Sequence, residues 1–154
     1  MKIRNAEIGD HVGIGTVHAN SWKETYIGLM PQSYLDDLKP EKRIPFWEED
    51  LKKSEKRNYI WVAENDDGEI IGFCFGGKAR RKELGFDSEL YAIYLYKKYH
   101  GQKIGKKLFQ ALVKKLKSEG KKSMYLWVVK NSKTCKVYES LGGILKPQIE
   151  VNEI

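Results

Sequence analysis

The sequence predicts a single α/β domain with a mixed central sheet and helices on both faces. Three observations support this class. Helical patterns fill the first third of the chain, three strand patterns follow in its middle, and a strand–helix–strand crossover comes after them. Consecutive strands favour antiparallel pairing, whereas a crossover joins strands that run parallel. We therefore predict the order β-α-α-α-β-β-β-α-β-α-β over residues 1–154.

The first strand and the first helix follow from periodicity. Residues 2–6 alternate in polarity and indicate a short strand. Asp10 is suited to cap a helix that runs to about Tyr26, and Gly28 closes it. Four side chains of this helix recur every four residues and form one stripe: Ile14, His18, Trp22 and Tyr26.

Two prolines mark the next helices. Pro31 is suited to begin a short helix. A third helix is predicted near residues 43–53, with Pro45 in its first turn, because a proline deeper in a helix removes a backbone hydrogen bond.

The middle of the chain predicts three strands. Residues 59–64 and 69–78 flank Asn65-Asp66-Asp67-Gly68, a hairpin signal. Glycines thin the second of these strands, which indicates a bulge or a close approach. Residues 90–96 are apolar on both faces and predict a central strand.

A glycine-bearing turn then leads into a basic helix. Residues 99–105 separate the third strand of this group from a helix predicted over residues 104–118, which Gly120 ends. Its core-facing residues are Ile104, Leu108, Leu112, Val113 and Leu116. Free N–H groups at such a helix start can bind a phosphate.

The last part of the chain predicts two strands around one helix. Residues 123–129 indicate a buried strand, and Asn131 or Ser132 is suited to cap a helix that runs through Leu141. Residues 148–151 indicate a final strand.

Composition and charge narrow the class of protein. Hydrophobic residues make up 41% of the chain and aromatic residues 12%, which is typical of a globular domain. No apolar run reaches the ~18–20 residues that span a bilayer, and no signal peptide is evident. The two cysteines indicate reduced thiols, so we expect a cytoplasmic protein without a membrane segment. The net charge of +7 favours an anionic partner, although solvated helix faces account for most of the lysines.

Four segments make the chain resemble the GNAT superfamily of N-acetyltransferases over nearly its whole length, and they follow one another in the order that the family has. The phosphate loop of that family reads Gln/Arg-x-x-Gly-x-Gly/Ala, and residues 100–105 occupy its six positions. The strand at residues 89–95 precedes it. Asn131, followed by residues 138–143, is similar to a later family segment, and residues 21–26 are similar to a first-helix signature.

Two residues depart from the family loop. His100 stands in place of Gln or Arg, and Lys103 stands in place of the first glycine. Backbone N–H groups bind the phosphate, so a side chain at 103 is tolerable if its φ is negative. A positive φ would strain Lys103 by about 1 kcal/mol or more, and the lysine could compensate with a positive charge near the phosphates.

The resemblance implies acetyl-CoA as the acetyl donor. The implied diphosphate contacts are the amides of Gly101, Gln102, Lys103, Ile104, Gly105 and Lys106. The pantetheine arm is expected along the backbone of Tyr94 and Leu95. Asn131 occupies a position where the family places a cofactor contact.

The implied chemistry is acetyl transfer to an amine. An alkylammonium with a pKa of ~10 must lose a proton, which costs about 4 kcal/mol near pH 7. Glu89 is the candidate general base, directly or through a water, and a solvated strand-end charge is the alternative. Tyr138 matches the general acid of the family, and an aromatic side chain packed on the crossover helix is the alternative.

The acceptor is predicted only as a small-molecule or protein amine. Four aromatic residues are candidates for the wall of its site: Trp22, Tyr26, Tyr34 and Tyr91. Core packing explains Trp22 and Tyr34 as well. The three histidines lack metal-ligand spacing, so no metal is predicted.

The C-terminal end predicts an association. Eleven residues follow Gly143, enough for one strand where the family usually has two. An unpaired sheet edge there would favour a homodimer. Two other functions compete with the enzyme: a CoA-binding sensor without catalysis, and a nucleic-acid-binding module, which the absence of alternating exposed aromatic and basic residues on a strand disfavours.

Overall fold

The computed structural model describes residues 1–128 and 133–144, and of residues 133–135 it describes the backbone alone. The described strands are β1 (Lys2–Asn5), β2 (Ile60–Glu64), β3 (Ile70–Lys78) and β4 (Ser88–Leu95). The described α-helices are α1 (His11–Tyr26), α2 (Gln32–Asp36), α3 (Pro40–Leu51), α4 (Ser54–Arg57), α5 (Ile104–Ser118) and α6 (Lys133–Ser140). Their order confirms the predicted α/β class, with α4 added as a single turn.

The four strands form one antiparallel sheet in the order β1-β2-β3-β4. Beyond β4 the next segment is parallel, and it joins at a single bridge between Glu89 and Tyr125. There the Leu90 N–H donates to the Tyr125 carbonyl at 3.0 Å, and the Tyr125 N–H donates to the Ser88 carbonyl at 3.1 Å. The sheet is therefore antiparallel with a parallel contact at its end.

Two strand predictions need correction. Among the described residues β4 is the last strand of the sheet rather than a central one. The segment at 123–128 is half-buried and has one bridge residue instead of a buried strand. Within the described part of the chain the bridge between Glu89 and Tyr125 stands alone, and no continuous ladder forms between the two segments.

A β-bulge lies where β3 meets β4. Phe75 pairs with Ala92, but Gly76 pairs with Leu90, so Tyr91 is an extra residue on β4. A Cβ atom on Gly76 would lie 2.5 Å from the Glu89 carbonyl oxygen. The glycines of β3 therefore mark both a bulge and a close approach, as the sequence predicted.

Helices cover both faces of the sheet. On one face α1 and α3 bury an aromatic-rich cluster, which includes Ile14, Val17, Trp47, Val62 and Phe73. On the other face α5 buries an aliphatic cluster, which includes Ala63, Ile71, Leu90, Leu108 and Leu112. Alternation along β2 and β3 sends successive side chains to opposite clusters.

The helix bounds confirm most predictions and correct three details. The bounds of α5 agree with the prediction at both ends, although Val113 is only half-buried. Asp10 precedes α1 but makes no side-chain cap; its carboxylate accepts instead from the Arg4 guanidinium at 2.8 and 3.0 Å. Helix α3 begins at Pro40, so Pro45 lies inside it and not in its first turn.

Several predictions fall outside the described residues. These are the cap at Asn131 or Ser132, the strand at 148–151 and the incomplete strand pair with its homodimer contact. The homodimer stays a prediction. In the described part of the chain, no helix is both long and apolar enough to cross a membrane.

Candidate active site

The turn before α5 has an unusual backbone. Gly101 has φ 81°, and Lys103, the residue before the helix, has φ 64° and ψ 18°. Within the described residues every other positive φ belongs to a glycine. A left-handed conformation costs a residue with a Cβ atom about 1–2 kcal/mol, so the strained alternative left open by the sequence is the one that the structure adopts.

This backbone presents donors at the start of α5. Lys107 donates the first helical bond, from its N–H to the Lys103 carbonyl at 3.1 Å. The N–H groups of Ile104, Gly105 and Lys106 precede that bond and have no partner within the helix. They lie at the positive end of the helix dipole, where an anion is stabilised.

A cavity of about 830 Å³ runs from this turn between β4 and α6. Most of the predicted cofactor contacts line it: Tyr94, Leu95, Gly101, Lys103, Ile104, Gly105 and Lys106. Tyr138 of α6 lines it too, with Val137 and Leu141 beside it. The predicted contact Gln102 is exposed and is not part of this lining.

The backbone edge of β4 at the cavity has no strand paired with it among the described residues. The Tyr96 N–H donates to the Ile71 carbonyl at 3.2 Å, toward β3. Because backbone groups alternate along a strand, the N–H and C=O of Leu95 point away from β3. The His100 ring nitrogen Nε2 lies 3.1 Å from the Leu95 carbonyl oxygen, which ties the turn to this edge.

Tyr138 lies half-buried against α5. Its ring is 6.0 Å from the Phe109 ring, centroid to centroid. Burial, with a smaller effect from Cys74, raises the pKa of Tyr138 well above its usual range. The phenol is therefore protonated at neutral pH, as a proton donor requires, and it also packs as the alternative interpretation expected.

Glu89 lies apart from the cavity lining in a buried ion pair. Its side chain is 1% exposed, so the alternative of a solvated strand-end charge is wrong. Arg80 Nη2 donates to its carboxylate at 2.6 Å, the Arg80 backbone N–H at 2.9 Å and the Tyr125 hydroxyl at 2.8 Å. Burial alone would raise the pKa of Glu89, but the Arg80 and Tyr125 hydrogen bonds outweigh it and lower this pKa.

The structure brings together only part of the predicted acceptor wall. Trp22 contacts Tyr26 and Tyr94, with ring centroids 5.0 and 6.1 Å apart. Tyr91 instead lies under the Arg80 guanidinium, 4.3 Å from its ring centroid, and Tyr34 is 45% exposed. Trp22 and Tyr26 thus remain beside the cavity residue Tyr94.

Sequence reasoning missed residues that contact the site through the fold. Arg80 and Tyr125 surround Glu89, and Ser21 and Thr25 of α1 line the cavity with Glu24. A helical repeat links Ser21 to Thr25, and it is the signal that could have found them. The pairing of Arg80 with Glu89 has no comparable pattern, because it closes a loop.

Two further predictions concern the cofactor contact of Asn131 and the absence of a metal. Asn131 is not among the described residues. Within 1–128 and 133–144 no group of three His, Cys, Asp or Glu residues is arranged to hold a metal ion.

A model of the acetyltransferase (GNAT) family matches residues 13–143. The chain therefore belongs to this family, and it is an acyltransferase. It is 32% identical over 140 residues to the uncharacterized N-acetyltransferase YuaI of Bacillus subtilis, covering 91% of this chain and 78% of that protein. It is 27% identical over 122 residues to a spermidine N(1)-acetyltransferase of Thermoplasma acidophilum, covering 78% and 73%.

Solved structures share the fold. The PaiA N-acetyltransferase of Thermoplasma acidophilum, in complex with coenzyme A, superimposes with a TM-score of 0.76 at 23% identity. That match covers 97% of this chain and 92% of the other. A ribosomal-protein-alanine N-acetyltransferase of Brucella melitensis superimposes with a TM-score of 0.69 at 16% identity, covering 98% of each chain.

Proposed function

We propose that this protein transfers the acetyl group of acetyl-CoA to a primary amine of a small molecule or protein by direct attack. One observation carries the proposal: a single cavity joins the unpaired N–H groups at the start of α5 to the Tyr138 phenol. A diphosphate at one end and a thioester at the other would fit such a cavity. When bound, acetyl-CoA supplies the acetyl group and a thiolate leaving group.

The residues of the cavity fit the donor by charge and by hydrogen bonding. Lys97, Lys103 and Lys106 line its turn end, and no ion pair engages them within the described residues. The Leu95 backbone edge can bond the amides of a pantetheine arm, as a neighbouring strand would. An N–H group of this edge is also suited to polarise the thioester carbonyl.

Tyr138 is the proposed general acid. As the amine nitrogen bonds to the carbonyl carbon and the C–S bond breaks, the phenol gives its proton to the departing sulfur. The nitrogen loses a proton as it becomes an amide, and solvent carries that proton back to the phenolate. The raised pKa of Tyr138 keeps the phenol protonated at neutral pH and makes it a weaker acid than an ordinary tyrosine, so the transfer relies on the basicity of the departing thiolate.

Glu89 is proposed to act through water rather than in direct contact. Its lowered pKa keeps the carboxylate ionised at neutral pH but weakens it as a proton acceptor, and the Arg80 guanidinium balances its charge. A chain of water molecules would carry the ammonium proton to solvent, and Glu89 would orient these waters. The Arg80 guanidinium that pairs with Glu89 also stacks on the Tyr91 ring, so the three side chains form one cluster.

The acceptor class is proposed from the aromatic wall and from one relative. Trp22 and Tyr26 offer ring faces that can attract an ammonium group. A relative is a spermidine N(1)-acetyltransferase, so polyamines and diamines belong in the first panel, beside aminoglycosides and peptide N-termini.

The test measures thiol release from acetyl-CoA across this amine panel. With an accepted amine, Tyr138→Phe should lower kcat about 10²-fold and leave the KM for acetyl-CoA little changed. Tyr59→Phe is the matched control, since the Tyr59 hydroxyl donates to Glu119 outside the cavity lining, and its kcat should equal that of the wild type. Full activity of Tyr138→Phe would reject the acid role.

Glu89→Gln separates the two roles of the buried carboxylate. If Glu89 organises proton removal, kcat falls at neutral pH and recovers as the pH approaches the amine pKa, because the free amine then needs no base. If Glu89 only holds Arg80 in place, the melting temperature falls and the pH profile keeps its shape. No thiol release from the wild type with any amine would reject the proposed function.

A further inference from the structure

Lys103 is the only residue with a side chain that holds a left-handed backbone within the described part of the chain. The other eight positive-φ positions are glycines. Glycine adopts this conformation without a steric penalty, and asparagine adopts it more readily than lysine does. A lysine here therefore needs a reason other than backbone preference.

Packing does not supply that reason. The Lys103 side chain is exposed and caps no backbone group of α5. The neighbouring glycines 101 and 105 have open space where a Cβ atom would stand, with nothing within 4 Å. Among the described residues the turn is therefore open, and neither burial nor capping accounts for the lysine.

Charge supplies a reason. Lys97, Lys103 and Lys106 line one end of the cavity, and the one acidic residue in the described lining is Glu24. The Glu24 carboxylate accepts from the backbone N–H of Lys97 at 2.7 Å. Three ammonium groups therefore share this end with a single carboxylate, and their mutual repulsion falls when an anion binds.

The position of Lys103 relates it to a particular anion. It directly precedes the unpaired N–H groups of Ile104, Gly105 and Lys106, and its carbonyl accepts the first helical bond from Lys107. An anion bound by these N–H groups would therefore lie next to Lys103, the residue that directly precedes them in the chain. Lys103 lines the same cavity as these N–H groups.

We propose that Lys103 keeps a strained backbone in exchange for a charge contact with the diphosphate of coenzyme A. The free protein is less stable for having this lysine, and the donor binds more tightly because of it. The inference rests on the proposed use of acetyl-CoA. It states that the Lys103 side chain contributes part of the affinity of the protein for coenzyme A.

The proposal predicts opposite changes in two measurements on Lys103→Gly. The melting temperature of the free protein should rise by about 2–4 °C, as relief of the strain implies for a chain of this size. The Kd for coenzyme A, measured by calorimetry without any acceptor, should rise about five- to tenfold at low salt. The dependence of Kd on salt should also become shallower.

Two variants control for charge and for glycine flexibility. Lys117→Gln removes one positive charge near the other end of α5 and should leave the Kd within twofold of the wild type. Lys103→Asn removes the charge and keeps a side chain that tolerates this φ. It should therefore weaken binding as much as Lys103→Gly does.

The outcomes separate this inference from the proposed function. If coenzyme A neither stabilises nor binds the wild type, the proposed function fails. If the wild type binds it and Lys103→Gly binds it equally well, only the role of Lys103 fails. Lys103→Gly should weaken the binding of 3′-dephospho-coenzyme A by the same factor as the binding of coenzyme A. If it weakens only the binding of coenzyme A, Lys103 contacts the 3′-phosphate, and the diphosphate contact is overturned.

Discussion

The two faces of the sheet are built from different side chains. Under α5 a row of aliphatic residues, Ile104, Leu108, Leu112 and Leu116, is buried at four-residue spacing. Under α1 and α3 the buried cluster includes two large aromatic residues, Trp47 and Phe73, in contact at a centroid distance of 5.2 Å. The first face supports the glycine turn, and the second supports the aromatic residues beside the proposed acceptor site.

The aromatic face also contains polar atoms. Trp47 Nε1 donates to His18 Nδ1 at 3.1 Å, and both side chains are buried. Each face also holds one buried indole nitrogen without a hydrogen-bond partner among the described residues, Trp22 Nε1 on this face and Trp61 Nε1 on the α5 face. Polar groups are costly to bury unless they are paired, so the hydrogen bond between Trp47 and His18 is what distinguishes the aromatic face.

The contrast explains why the proposed donor site follows from a sequence pattern and the proposed acceptor site does not. The proposed donor site uses backbone N–H groups, which a glycine turn and a helix start present whatever the neighbouring side chains are. The proposed acceptor site uses side chains from α1 and β4, whose contacts depend on how the elements pack. A few aromatic contacts across these elements decide its shape.

The largest expected effect tests the aliphatic face. Leu108 is fully buried, so Leu108→Ala should lower the free energy of unfolding by about 3 kcal/mol through lost burial and a cavity. Urea denaturation with an unchanged m-value measures this loss. Leu29→Ala, at a leucine that is 78% exposed, is the control and should change the free energy by less than ~0.5 kcal/mol. Equal effects at the two positions would contradict the assigned core.

The next effect tests the polar atoms of the aromatic face through pH. Burial, with a smaller contribution from Arg43, lowers the pKa of His18 from 6.5 to about 4. Above pH 6.5 the ring is neutral in both states, and stability is unaffected. As the pH falls from 6.5 to 4 the unfolded chain takes up a proton that the folded protein excludes, so stability declines, by about 3 kcal/mol in full.

His18→Gln isolates this contribution, because glutamine offers Trp47 an acceptor and does not titrate. The unfolding free energies of the wild type and the variant should converge as the pH falls from 7 to 4, with other titrating groups common to both. Curves that stay parallel would show that His18 does not set this pH dependence.

The sequence predicted features that depend on local pattern. The bounds of α5 follow from its leucine spacing and from Gly120, and the glycines of β3 marked the bulge opposite Tyr91. The sign of φ at Lys103 stayed open, because the identity of a residue does not fix its backbone when the family pattern is broken.

The central-strand prediction was wrong because two different physical causes can produce the same sequence pattern. Residues 90–96 are apolar on both faces, which predicted a central strand, but Ile93 and Leu95 line the cavity beside α6, and no strand pairs with them on that side among the described residues. Apolar side chains thus serve a ligand cavity as well as a neighbouring strand. Arg80 was not predicted to pair with Glu89, because their contact depends on how the loop folds back over nine residues.

The smallest expected effect comes from replacing a glycine by alanine on each face of the sheet, in α1 and in α5. In α1 a Cβ atom at Gly15 would lie 2.8 Å from the backbone N and Cα atoms of Ile44, which cannot move without shifting α3. In α5 a Cβ atom at Gly105 would meet nothing within 4 Å. Gly15→Ala should therefore cost about 1–2 kcal/mol of unfolding free energy, the clash outweighing the helix propensity of alanine.

Gly105→Ala should instead raise the unfolding free energy of the free protein by about 0.5 kcal/mol, since only the propensity changes. Urea denaturation of both variants without ligand measures the difference. Opposite signs would mean that α1 and α3 touch through their backbones, whereas α5 presents an open backbone at the turn. Destabilisation by both variants would show that the start of α5 is closed in the free protein, which would leave too little room for a diphosphate at the N–H groups of residues 104–106.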